Sequence, residues 1–297
     1  MGGGGGEYGQ GRYAGSLVGT DDSGLNSDYY LSSFVACMGY VAIALKNIVK
    51  KYLNFLYLDM RNTRRRAQKA LVENDPTALF LDCGCREGDN TLELAKSIGT
   101  EKVLGLDYNL RVLRQAAQRG IWALQADLNR GIPLKDNCVD VIAATDVLEH
   151  LINPDVFVSE MYRVLRAGGY VVLDTPNLAS WHNIFALLIG IQPFSGPNIT
   201  SMEEADLSLV QEMRHFSQSR GGETGPSCKE PELIRHIVVV AYVSLLRLFK
   251  QRGFLIEQVQ GYGYYPLPPL LARLFQRLDP RHAHHIVLKA RKPLPKE

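Results

Sequence analysis

Cysteine is scarce and poorly spaced for a metal. Cys37, Cys83, Cys85, Cys138 and Cys228 form an odd, scattered set without the paired spacing of a zinc site. No secretory signal precedes them, so a reducing, cytoplasmic setting is expected, with Cys83 and Cys85 as small residues packed at a strand end. Charge of one sign is missing as well. Lys and Arg number 33 against 31 Asp and Glu, a net +2, and such a chain does not wrap a nucleic-acid backbone, so no nucleic-acid partner is expected. The one basic cluster, RNTRRRAQKA at 61–70, is expected to be a solvated helix face, with phosphate or lipid headgroups as the alternative contact. The candidate membrane segment, Tyr29 to Leu45, has 17 uncharged residues including Gly39, short of the roughly 20 that a spanning helix needs.

What is present is a core. The 297 residues are 46% hydrophobic, enough for one large α/β domain with additions. Residues 1–28, with a glycine run at 2–6, are too poor in apolar side chains to offset the entropy of ordering and are expected to be a flexible tail. From Leu31 to Leu56 apolar residues recur at helical spacing, so residues 29–76 are expected as amphipathic and basic helices. These helices can pack on the domain or lie at a membrane interface, and a peripheral helix is favoured over a span. Beyond them, apolar runs alternate with helix-like segments: ALFLDC, KVLGLD, IWALQAD, CVDVIAATD and YVVLDTP. That alternation predicts a doubly wound, largely parallel α/β sheet over 77–292, with an insertion at about 178–235 and a short tail at 293–297.

Ligands of such sheets bind at the carboxyl ends of the strands, which directs attention to the residue after each run. The first turn holds Asp82, Gly84 and Gly88, and its glycines permit close approach of a ligand. Arg86 and Glu87 in the same turn argue against a diphosphate cradle. Asp107 ends the second strand, where a carboxylate matches a vicinal ribose diol, the alternative being a helix N-cap. Asp127 follows the third strand, where it could accept from an adenine amine beside the Leu128 N–H, or simply close a turn.

Together LDCGCREG, GLDYN, ADLNRGIPLKDNCVDVI, ATDVLEHLINP and EMYRVLRAGGYVVLDTPN, within residues 77–177, resemble the class I S-adenosylmethionine-dependent methyltransferases, in their ubiquinone/menaquinone-biosynthesis-like branch. The resemblance implies a seven-stranded, Rossmann-like sheet with its last strand antiparallel, and S-adenosyl-L-methionine as cofactor. It further implies that Asp82, Gly84 and Gly88 form the first cofactor motif with Cys85 beside the methionine moiety. Asp107 would hold the ribose, Asp127 and Leu128 the adenine, and Thr145 and Asp146 the amino-acid end. Members of the family usually carry a third glycine where this chain has Arg86.

Methyl transfer from a sulfonium is an in-line displacement with an activated leaving group, so alignment and exclusion of water dominate. A base is needed only where the acceptor must lose a proton. His150 in DVLEH is the candidate base, with packing or loop hydrogen bonding as the alternative, and Glu149 is a candidate brace. The apolar stretches 175–196 and 261–278 could wall an acceptor with a lipid, isoprenoid or aromatic part. The HAHH run at 282–285 is not expected to hold a metal, because strand alternation would separate its side chains. The expected activity is methyl transfer to oxygen or carbon of a small-molecule or lipid-like acceptor. The competing readings are a nicotinamide-dependent oxidoreductase and a catalytically silent cofactor-binding module on a membrane or partner.

Overall fold

A computed structural model describes residues 27–197 and 236–295, with side chains from Asn47 onward. The expected tail up to residue 26, residues 198–235 of the expected insertion, Cys228 and the last two residues lie outside it. The chain divides into two compact units, Met1–Asn47 and Ile48–Glu297. Of the first unit the described part is the start of helix α1, Ser27–Leu71. Amphipathic and basic segments therefore form one continuous 45-residue helix. No helix among the described residues is long and apolar enough to cross a membrane.

In the second unit β1 (Phe80–Cys83), β2 (Val103–Asp107), β3 (Trp122–Gln125), β4 (Val139–Thr145), β5 (Leu165–Pro176), β6 (Leu255–Tyr262) and β7 (His285–Arg291) form one seven-stranded sheet. Its order is β3-β2-β1-β4-β5-β7-β6. The first five strands are parallel, and β7 runs antiparallel to both β5 and β6. Central strands are buried on both faces, as the continuous apolar runs require. Phe80, Leu81, Leu106, Ile142 and Leu173 are wholly buried. The edge strand β3 is mostly exposed.

Helices α2 (Asp89–Ile98), α3 (Leu110–Gln118), α4 (Pro154–Val164), α5 (Trp181–Leu188), α6 (Tyr242–Gln251) and α7 (Pro269–Leu278) complete the unit. Local chemistry sets several of their ends. Asn109 caps α3 by accepting from the Arg111 N–H at 2.9 Å, and α4 starts with Asn153 as cap and Pro154 in its first turn. Sequence order reverses between β1 and β4, because β2 and β3 lie on one side of β1 while β4 and β5 lie on the other. The connections at the strand ends therefore diverge there and leave a crevice.

Candidate active site

The floor of the crevice is the turn after β1. Gly84 has φ 78°, and a Cβ there would lie 2.4 Å from Val147 Cγ2, so the turn requires glycine for both backbone and space. Arg86 is left-handed as well, at φ 52°. That conformation explains why a glycine suits the position and shows that an arginine can occupy it at some cost in strain. The Arg86 N–H donates to Asp107 Oδ2 at 3.1 Å, and the Asn109 N–H donates to Asp107 Oδ1 at 2.9 Å. Asp107 thus ties the first turn to the second, while capping of α3 falls to Asn109.

Asp82 is buried and accepts from Thr91 Oγ1 at 2.5 Å. Burial pushes its carboxyl up to about 7; the Thr91 hydrogen bond pulls it back and the Asp107 charge pushes it up again. Burial also raises the Cys85 thiol, reinforced by Asp82 and Asp107, so this cysteine stays protonated and inert.

The roof comes from α1. Tyr57, Arg61, Arg64, Arg65 and Gln68 project from one helical face over a cavity of about 140 Å³ whose walls include Asp82, Gly84, Cys85, Thr145 and Asp146. Arg64 is 4% exposed, which corrects the expectation that the whole basic cluster is a solvated face. Its Nη1 donates to Asp174 Oδ2 at 2.8 Å and to Asp146 Oδ1 at 3.0 Å, and lies against His285 Nδ1. Burial opposes the Arg64 charge, but Asp146 and Asp174 outweigh it and raise the guanidinium further. Gln68 Nε2 donates to Asp174 Oδ2 at 2.7 Å, and its Oε1 accepts from Asn90 Nδ2 at 3.2 Å.

Of the residues singled out in the sequence, Asp82, Gly84, Cys85, Thr145 and Asp146 therefore share one cavity wall. Gly88 starts α2 and packs against Ile121, behind that wall. Asp127 lies apart: its Oδ1 accepts from the N–H and the Nδ2 of Asn129 at 3.0 and 3.1 Å, with Leu128 buried in the core next to it. His150 sits in a 3-10 turn, Leu148–His150, with its Nε2 3.8 Å from Glu149 Oε1 and its ring edge-on to His236. It does not line the cavity. Glu149 is buried and accepts from Thr175 Oγ1 at 3.1 Å, and its carbonyl accepts from the Ile237 N–H at 2.6 Å, so it braces the loop.

Sequence reasoning missed Arg64, Gln68, Asn90, Asp174 and His285. Asp174 was within reach, because it ends the fifth apolar run just as Asp82 and Asp146 end theirs. The spacing of positions 57, 61, 64, 65 and 68 also marks one helical face. The histidine run departs from expectation too. His284 precedes β7, escapes the strand's alternation, and stacks between His285 at 4.7 Å and His182 at 4.4 Å. Burial holds His182 down to about 3, helped by His285, and holds His284 well below its ordinary range. Asp146, Asp174 and His285 have ligand-type atoms within 4.8 Å of one another, as do Glu149, His150 and His236. In the first group the Arg64 guanidinium already pairs with both carboxylates.

Comparison with known proteins bears on the family and the fold. A methyltransferase domain family model matches residues 81–173. Over 227 residues the chain is 32% identical to the demethylmenaquinone methyltransferase of Lactiplantibacillus plantarum, covering 71% of this chain and 84% of that protein. A probable S-adenosylmethionine-dependent methyltransferase of Mycolicibacterium smegmatis is 36% identical over 104 residues, but the match spans only 33% of this chain and 37% of that protein. The fold is shared with a crystal structure of an S-adenosylmethionine-dependent methyltransferase from Mesorhizobium loti, at a TM-score of 0.50 and 18% identity over 76% of this chain and 96% of that one. On the strand-end acids, the glycine turn and this relationship over most of both chains, the chain belongs to the class I S-adenosylmethionine-dependent methyltransferases.

Proposed function

We propose that the protein transfers the methyl group of S-adenosylmethionine to an oxygen or carbon of a small, lipid-like acceptor. The observation that carries this reading is the cavity at the strand ends, where Asp82, Gly84, Cys85, Thr145 and Asp146 face the polar stripe of α1. The residues suit a zwitterionic amino-acid end. Asn90 lines the cavity and its buried Oδ1 has no hydrogen-bond partner, leaving an acceptor for an ammonium, while Arg61 and Arg65 supply positive charge for a carboxylate. Asp107 would take the ribose diol, and Asp127 with the Leu128 N–H the adenine. When bound, the cofactor supplies a methyl already attached to a good leaving group.

The chain's own residues then need to align the acceptor, exclude water and, for a hydroxyl acceptor, remove a proton. We assign that proton to His150, oriented by Glu149. The demethylmenaquinone methyltransferase relationship and the apolar α5 and α7 support an acceptor with an isoprenoid or aromatic portion.

Replacing Asp107 with Ala is expected to weaken cofactor binding by roughly 1–3 kcal/mol through lost charge-assisted hydrogen bonds. Titration calorimetry checks this on protein whose circular dichroism is unchanged. Equal affinity removes Asp107 from the site, and tight NADH binding without affinity for the methionine cofactor replaces the reading by the oxidoreductase. With labelled methyl donor and fractionated lipid extracts, demethylated isoprenoid quinols included, label is expected in the lipid fraction. Label in neither lipid nor aqueous products, with cofactor binding intact, favours the silent module. His150→Ala is expected to lower turnover by about 100-fold, within the usual range for a general base, at unchanged cofactor affinity. An unaltered pH–rate profile on a hydroxyl acceptor returns His150 to loop packing.

A further inference from the structure

Helix α7 is unusual in how little of it is buried. Of its ten residues, PLLARLFQRL, only Ala272 is buried. Leu270, Leu274 and Leu278 are 79%, 51% and 70% exposed, and Leu271 and Phe275 flank them on the same face. The apolar stripe therefore points away from the core it would ordinarily fill. Helix α5 repeats the pattern, with Phe185 59% and Leu188 78% exposed beside an exposed Trp181. The middle of α1 carries Ile48, Tyr52 and Phe55 exposed in the same way.

These faces are joined. Tyr52 Oη donates to the Pro266 carbonyl at 3.0 Å, Arg273 pairs with Asp59 at 3.1 Å, and Trp181 Nε1 donates to Asp279 Oδ2 at 3.1 Å. Large exposed apolar area on one connected surface marks an interaction site. Its charge narrows the partner. Residues 48–58, 178–197 and 262–278 contain no Asp or Glu, while Lys51 and Arg277 are exposed among the leucines.

We propose that the surface formed by α7, α5 and residues 48–58 of α1 docks on an anionic lipid bilayer. Leucine and aromatic side chains on one face with Arg and Lys at its margin are what a helix lying in the headgroup region requires: the apolar side enters the acyl boundary and the cations meet lipid phosphates. A second copy of the chain fits less well, because across a two-fold contact the acids that could meet the exposed cations, Asp59 and Asp279, are already engaged by Arg273 and Trp181 within the surface. Docking is read out by vesicle binding alone, without acceptor or methyl transfer, so its failure is distinguishable from failure of the proposed activity.

Sedimentation of the full chain with phosphatidylcholine vesicles, with and without phosphatidylglycerol, tests this in the absence of cofactor. Binding is expected to the anionic vesicles and to weaken in high salt. The double variant L270E/L274E, and separately F185E/L188E, is expected to lower partitioning about tenfold or more, because each removes apolar contact and adds repelled charge. Since these side chains are solvent-exposed, the variants should unfold at the wild-type temperature. K51Q/R277Q provides a second, charge-only variant that keeps the apolar face and should reduce binding to the anionic vesicles alone. Wild-type partitioning in all three variants overturns the proposal in favour of binding elsewhere on the chain. A concentration-dependent dimer in ultracentrifugation that the leucine variants abolish, without vesicle binding, overturns it in favour of self-association.

Discussion

Arg64→Leu is expected to cost about 3–5 kcal/mol of stability, because it strips the counter-ion from carboxylates that the fold has already removed from water. Asp174 is 1% exposed and accepts from both Arg64 and Gln68, and Asp146 accepts from the same Arg64 Nη1. Leaving two acids facing each other without the cation is worse than never having buried the group. Chemical denaturation of the single variant and of R64L/D174N separates the causes. Removing one of the stranded charges in the double variant should recover a large part of the loss. A single variant within about 1 kcal/mol of wild type, the size typical of an exposed ion pair, would show that the α1 face is held by apolar packing alone. Met60 and Leu71, both buried on the same helix, would then be the residues that anchor it.

Asp82→Asn is expected to change how stability depends on pH. Burial, opposed by Thr91 and assisted by Asp107, raises the carboxyl from 3.8 to about 7. An acid whose folded pKa is raised binds more protons folded than unfolded. Its contribution is therefore fully favourable below the unfolded value and is lost as pH rises from about 3.8 to about 7. The rise corresponds to on the order of 4 kcal/mol across that window. The variant carries no such proton and its amide oxygen can still accept from Thr91, so stability should move in its favour between those pH values. Other carboxylates act in the opposite direction, Glu160 being held low by its hydrogen bond to Arg163 and Glu257 by its hydrogen bond to Arg291. The decisive quantity is consequently the difference between variant and wild type in urea denaturation at each pH. Parallel curves would mean that Asp82 is ionised throughout and reaches solvent through the cavity.

Much of this protein was legible in one dimension. Apolar runs too short for helices and bounded by turn residues can be buried only as central strands, so the parallel part of the sheet followed from ALFLDC, KVLGLD and CVDVIAATD. A polar residue at the end of such a run must emerge at the carboxyl edge, which is why Asp82 and Asp146 are legible in the sequence and meet in one cavity. Asp174 obeys the same rule and should have been read with them. The residues of α1 were harder, since helical spacing reveals a shared face but not what that face meets. The basic cluster looked like a solvated surface until the ends of β4 and β5 placed two carboxylates against Arg64.

Strand pairing across the chain was equally invisible. Nothing local in HHIVLKARK says that it inserts between β5 and β6, because that choice depends on which edge the earlier strands leave open. The sequence by itself determined the class of fold, the strand-end acids and the glycine turn, through periodicity and backbone sterics that act over a few residues. Only the tertiary structure decided that an arginine from the first helix closes the cavity and that Asp127 and His150 stand outside its lining, because distances between residues so far apart in the chain are set by packing.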